Sequence, residues 1–85
     1  MKTIKFHDNK NTIYNNVRIA REGLNISQEN LAAQLQTYGV SIDQQAISKI
    51  ERNLRTVTEY EFACLCKALK VDEKWMLSYC YGLIK

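Results

Sequence analysis

Proline is absent from this chain of 85 residues, and glycine occurs only three times. Nothing in the chain therefore forces a helix to kink or stop for want of an N–H, and few residues favour breaks. Runs of alternating β-branched residues are almost missing as well, which argues against a fold built of strands. No apolar stretch approaches the ~20 residues of a membrane span, and the N-terminus carries no hydrophobic run of signal-peptide length. These absences predict an all-helical, cytoplasmic protein.

Reactive residues are equally scarce. His7 is the one histidine, and three cysteines make an odd number in a chain without an export signal, so neither a disulfide framework nor a zinc site is expected. Cys64 and Cys66 stand two apart on an expected helix and point roughly opposite ways, as small core thiols do. Paired carboxylates, a nucleophile with a neighbouring base and a phosphate-cradling glycine loop are not found, so no enzyme and no cofactor is expected. Lys plus Arg number 12 and Asp plus Glu 9, a net charge of +3. That suits a nucleic-acid partner, although clustering matters more than the total.

What is present is helical periodicity, punctuated by caps. Residues 1–11 show no sustained period and read as an N-terminal arm; residues 12–85 read as one domain. A first helix is predicted from about Thr12 to Gly23, with Ile13, Val17, Ala20 and Leu24 as its apolar stripe and Gly23 as its stop. Ser27 caps a second helix that buries Leu31, Ala32 and Leu35 and ends by Gly39. Asp43 caps a third, closed by Asn53. Thr58 and Glu61 form a capping box for a fourth, running from about Glu59 to Leu69 and burying Phe62, Leu65, Cys66 and Leu69. Asp72 caps a short fifth helix carrying Trp75, Met76 and Leu77.

The third helix divides most sharply. Ala46, Ile47 and Ile50 gather on one side, and Gln44, Gln45, Ser48, Lys49 and Arg52 on the other. A solvated face ordinarily mixes Glu with Lys, since such pairs stabilise it. This face instead offers amides and cations, the groups that read adenine, guanine and phosphate. A polar outer face by itself is common, so the surrounding residues decide its weight.

Four segments in order supply that context: Val17-Arg18-Ile19-Ala20-Arg21, Ser27-Gln28-Glu29-Asn30-Leu31-Ala32, Ala46-Ile47-Ser48-Lys49-Ile50-Glu51 and Leu65-Cys66-Lys67-Ala68-Leu69-Lys70-Val71. Their order and spacing resemble the lambda-repressor-like (XRE-like) helix-turn-helix family, which includes the lambdoid phage repressors and Cro proteins. The resemblance covers about residues 12–78. It implies a compact five-helix fold in which helix two crosses the DNA backbone and helix three enters the major groove. By position it implies base contacts from Gln44, Gln45, Ser48 and Lys49, and phosphate contacts from Gln28, Arg52, Asn53 and Arg55. The same comparison pairs Arg21 with Glu51 across the core, against the plainer reading of two unrelated surface charges. Gln28 has its plain reading too, a solvated first-turn residue.

One departure stands out. Leu35 to Ile47 is about five residues longer than the family's usual spacing, and roughly one extra turn on helix two would absorb most of them. Tyr38, within this insertion, reads as a half-buried aromatic and not as a DNA contact.

The function so implied is sequence-specific binding of double-stranded DNA by a small bacterial or phage-type transcriptional regulator. A pseudo-palindromic operator and a homodimer are expected, because one module offers few base contacts. Trp75, Leu77, Tyr79, Tyr81, Leu83 and Ile84 are the candidate dimer residues, although Trp75, Met76 and Leu77 serve equally to close the core. A protein-interaction module, such as an antitoxin-like partner, is the alternative.

Overall fold

The computed structural model describes residues 12–78, so the expected arm over residues 1–11 and the tail from Tyr79 onward, including four candidate dimer residues, lie outside the described residues. Five helices follow in order: α1 Tyr14–Gly23, α2 Gln28–Thr37, α3 Gln44–Glu51, α4 Glu59–Leu69 and α5 Glu73–Met76. Four of them start at a side chain that satisfies an otherwise orphaned first-turn N–H. Ser27 accepts from Asn30, Asp43 from Ala46, Thr58 from Glu61 and Asp72 from Trp75. At Thr58 the capping box is complete, with Glu61 Oε1 accepting the Thr58 N–H at 3.0 Å.

The first four helices also end alike. Each closes on one residue of positive φ: Asn25 at 58°, Gly39 at 84°, Asn53 at 60° and Lys70 at 60°. In each case the next N–H reaches back five residues, as from Ile26 to Arg21, Val40 to Leu35, Leu54 to Lys49 and Val71 to Cys66. This is the Schellman closure, which satisfies carbonyls the helix leaves open.

Two sequence expectations change here. Gly23 is not the stop of α1 but its last helical residue, and a Cβ placed on it would meet nothing within 4 Å. Asn25 makes the turn instead, since a short amide side chain tolerates the left-handed region. Leu24 consequently leaves the apolar stripe and is 39% exposed, while Ile26 swings in against the core.

Lys70 is the ill-suited member of the four, because an L residue with a long side chain carries a steric cost in that region. Lys70→Gly should therefore raise unfolding stability by about 0.5 kcal/mol, the conformational gain exceeding the added freedom of the unfolded chain. Urea unfolding measures it, with Lys70→Ala as control. An equal gain from alanine would assign the effect to charge, not backbone.

The helices surround one core of Ile13, Val17, Leu31, Leu35, Ile47, Ile50, Val57, Leu65, Leu69 and Met76, every one of them almost fully buried. Cys64 and Cys66 belong to it as free thiols. Burial, reinforced by the nearby charges of Glu73 and Asp72, pushes the Cys66 thiol up to about 11. That leaves it protonated and unreactive at neutral pH. Of the fifth-helix residues, Met76 is buried and Leu77 packs partly against the core, whereas Trp75 stays 37% exposed.

The lengthened α2–α3 connection is not simply an added turn. α2 continues two residues beyond Leu35, to Thr37, then turns at Tyr38 and Gly39. Val40, Ser41 and Ile42 lead on to Asp43, with Val40 and Ile42 buried and Ser41 exposed between them. A tight turn around Ser41, closed by the Ile42 N–H donating to the Val40 carbonyl at 3.0 Å, points both apolar side chains at the core and delivers the chain to the α3 cap.

Candidate nucleic-acid interface

α3 stands on Ile47 and Ile50, both fully buried, and turns its other side outward. Gln44, Gln45, Lys49 and Arg52 are exposed there, with Ser48 half-buried among them. Together these five side chains line a shallow, open depression of about 390 Å³. Eight residues make this helix. With its side chains an α-helix is about 10–12 Å across, a girth that the ~12 Å wide major groove of B-DNA admits. The Arg52 guanidinium stays beside the helix end, its Nε donating to the Ser48 carbonyl at 3.3 Å. Asn53 supplies the left-handed closing turn.

Beneath α3 lies a polar network. Arg21 donates from Nε to Glu51 Oε2 at 2.7 Å and from Nη2 to Oε1 at 3.1 Å, a two-pronged pair between α1 and α3. Its Nη1 donates to the Ile26 carbonyl at 2.9 Å. The Arg21 side chain is 12% exposed and that of Glu51 4%. Hydrogen bonding to Glu51 raises the Arg21 pKa above its ordinary value despite the opposing effect of burial, so the guanidinium stays charged. Gln28, expected at phosphate, also turns toward this network: its Nε2 donates to Glu51 Oε1 at 3.1 Å. No buried side-chain polar atom among the described residues is left without a partner.

Arg55, the other expected phosphate binder, has an internal partner too. Its Nη1 and Nη2 donate to the two Glu61 oxygens at 3.0 and 3.1 Å, and Nη1 also donates to the Thr56 carbonyl at 3.0 Å. Burial would raise the Glu61 carboxyl, but the Arg55 hydrogen bonds and the Thr58 N–H hold it below the usual carboxylate range. The capping box made Glu61 legible as the partner of Thr58. No local spacing signals that the same carboxylate also takes Arg55 from the preceding loop. Tyr38 is half-buried, as expected of an aromatic beside Gly39, and its neighbours come from α2 and α4.

A family model described as Helix-turn-helix matches residues 17–76. The chain belongs to the helix-turn-helix family. Its motif is α2, the lengthened connection and α3, with α1 and α4 packed against them. Among solved structures, this helix-turn-helix chain is similar to the restriction-modification controller protein C.Esp1396I, crystallised as a tetramer in complex with its natural 35 base-pair operator. The two share 22% identity and superpose with a TM-score of 0.69, over 94% of this chain and 100% of the other, a likeness of fold. A search of curated proteins finds no significant match. Among the described residues no helix is long and apolar enough to cross a membrane.

Proposed function

We propose that this helix-turn-helix protein regulates transcription by binding double-stranded DNA sequence-specifically, with α3 in the major groove. The observation carrying this reading is the outer face of α3, where two amides, a hydroxyl and two cations line one open depression, with the cap residue Asp43 beside Gln45 and Lys49 in the adjoining one. Gln44, Gln45, Ser48 and Lys49 then meet base edges, and Arg52, Asn53 and Arg55 follow the phosphate backbone after the helix. Gln28 joins them at the start of α2. An amide nitrogen carries two N–H groups, so one can hold Glu51 while the other meets phosphate. Arg21 and Glu51 touch no DNA in this scheme and fix α3 to α1.

The structural likeness to an operator-bound controller supports operator binding by more than one copy. We assign the homodimer to α5 and the tail that follows. Trp75 is 37% exposed there, and the Asn16 amide secures the end of α5 by donating to the Trp75 and Met76 carbonyls and the Ser78 hydroxyl. The exposure of Leu54, 57% and close behind α3, favours the alternative of a protein-interaction module holding an antitoxin-like role.

Selection of bound sequences from a random duplex pool distinguishes the two. DNA reading yields a two-fold-related site with half-sites about 34 Å apart or a multiple of it. Failure to enrich any sequence would leave the interaction module as the better account. Salt dependence supplies a second check. Arg52→Ala should weaken all duplexes about equally and flatten the slope of log affinity against log salt by about one unit. An unchanged slope would remove Arg52 from the interface.

A further inference from the structure

The chain enters α3 through the lengthened connection and leaves it through the loop bearing Arg55, and two adjacent residues in the first turn of α4 hold both. On the entry side, the Tyr60 hydroxyl donates to the Tyr38 carbonyl at 2.6 Å. On the exit side, Glu61 takes the Arg55 guanidinium on both oxygens while completing the cap of its own helix. Tyr38 is secured further by α2 and α4. Gln34 Nε2 donates to its hydroxyl at 3.2 Å, and Lys67 Nζ sits 4.7 Å from the centre of its ring. Lys67 follows Tyr60 by seven residues, two turns along one face of α4, so a single face receives the inserted turn. Between Tyr38 and the cap residue Asp43 the chain turns at Gly39 and again around Ser41, where the Ile42 N–H donates to the Val40 carbonyl at 3.0 Å, and Val40 and Ile42 are pinned in the core. Little slack remains for a displacement at Tyr38 to dissipate before it reaches Gln44.

We propose that Tyr60 and Glu61 are positioning residues that set the placement of α3 against the rest of the fold, and through it the alignment of Gln44 and Gln45 with base edges. This rests on the reading of α3 as the DNA-reading helix. Base-edge hydrogen bonds are directional and fail with small displacements, whereas contacts to phosphate are sequence-independent and more forgiving. Loosening either grip therefore lowers affinity for the preferred site more than affinity for arbitrary DNA. A residue acting only on global stability would weaken both in proportion.

Tyr60→Phe and Glu61→Gln test this in two measurements on the full chain. The first is amide hydrogen exchange without DNA. Tyr60→Phe should speed exchange at Ile42, Ala46 and Ile47, and Glu61→Gln at Arg52, Asn53 and Leu54, with α1 amides unchanged. The second is affinity for the selected site and for random duplex. Loss of one hydrogen bond at Tyr60 should lower the former about fivefold and change the latter less than about twofold. Tyr60 is 49% exposed, so removing its hydroxyl leaves the core intact. Unchanged exchange at both ends of α3, or equal weakening on both duplexes, would overturn the proposal. If the unaltered protein prefers no sequence, the DNA reading fails. Hydrogen exchange alone then decides whether Tyr60 and Glu61 hold α3 in place.

Discussion

Arg21→Ala should destabilise the fold by about 3 kcal/mol, because it strands a buried carboxyl group in a site built around a cation. The Glu51 side chain is 4% exposed and accepts both prongs of the guanidinium. Without Arg21 it keeps only the neutral Gln28 amide among these partners. The reverse change, Glu51→Ala, should cost less. Arg21 is longer, 12% exposed, still bonded to the Ile26 carbonyl and 3.9 Å from Glu22. Removing both charges together should cost less than the sum of the two single changes, since neither partner is then stranded. Urea unfolding of the four members of this cycle measures the coupling. Strict additivity would show that the pair contributes nothing beyond two independent side chains. An Arg21 variant as stable as the parent would remove the pair from the energetics of the fold.

The contrast between that pair and the Tyr60 and Glu61 contacts shows what a linear chain discloses. Caps are local: the side chain and the N–H it satisfies lie within one turn, so Ser27, Asp43, Thr58 and Asp72 announce their helices. Core faces are periodic, and the stripe through Leu31, Leu35, Ile47 and Ile50 follows from that period. Helix ends are less legible, because a left-handed residue can be Asn or even Lys. Gly23 suggests a stop that Asn25 makes instead, and Lys70 carries no compositional sign of its left-handed backbone. Contacts between distant residues are legible only when a family pattern supplies them, as it did for Arg21 with Glu51. Neither Tyr60 at the Tyr38 carbonyl nor Arg55 on Glu61 follows from spacing, since the first depends on where the α2–α3 connection comes to rest and the second on the path of the α3–α4 loop. The candidate interface falls between these cases. Its reading face is periodic and visible, but the inward turn of Gln28 onto Glu51 appears only once α2 and α3 are packed.

Gln45→Ala should cost about 1–3 kcal/mol of binding free energy on the preferred site, a loss of about 5- to 150-fold, while leaving random-duplex binding nearly intact. Gln44 and Gln45 are exposed in the first turn of α3, the end a helix-turn-helix protein directs at base edges. A glutamine amide can donate to adenine N7 and accept from adenine N6, so one side chain can specify an A·T pair. Alanine retains the helix but neither bond. The preference at one position per half-site should therefore relax, whereas a lost phosphate contact would weaken every sequence alike. Fold stability should change little. Gln45 faces solvent, and the Asp43 cap that holds this turn bonds to the Ala46 N–H, which the substitution leaves in place. Repeating the duplex selection with the Gln45→Ala protein, alongside Gln44→Ala, reads affinity and preference together. If both variants enriched the parental site with parental affinity, α3 would not be reading bases through these amides. Lys49 and Ser48 would then remain as its only candidate readers, and the interaction-module reading would gain at the expense of DNA recognition.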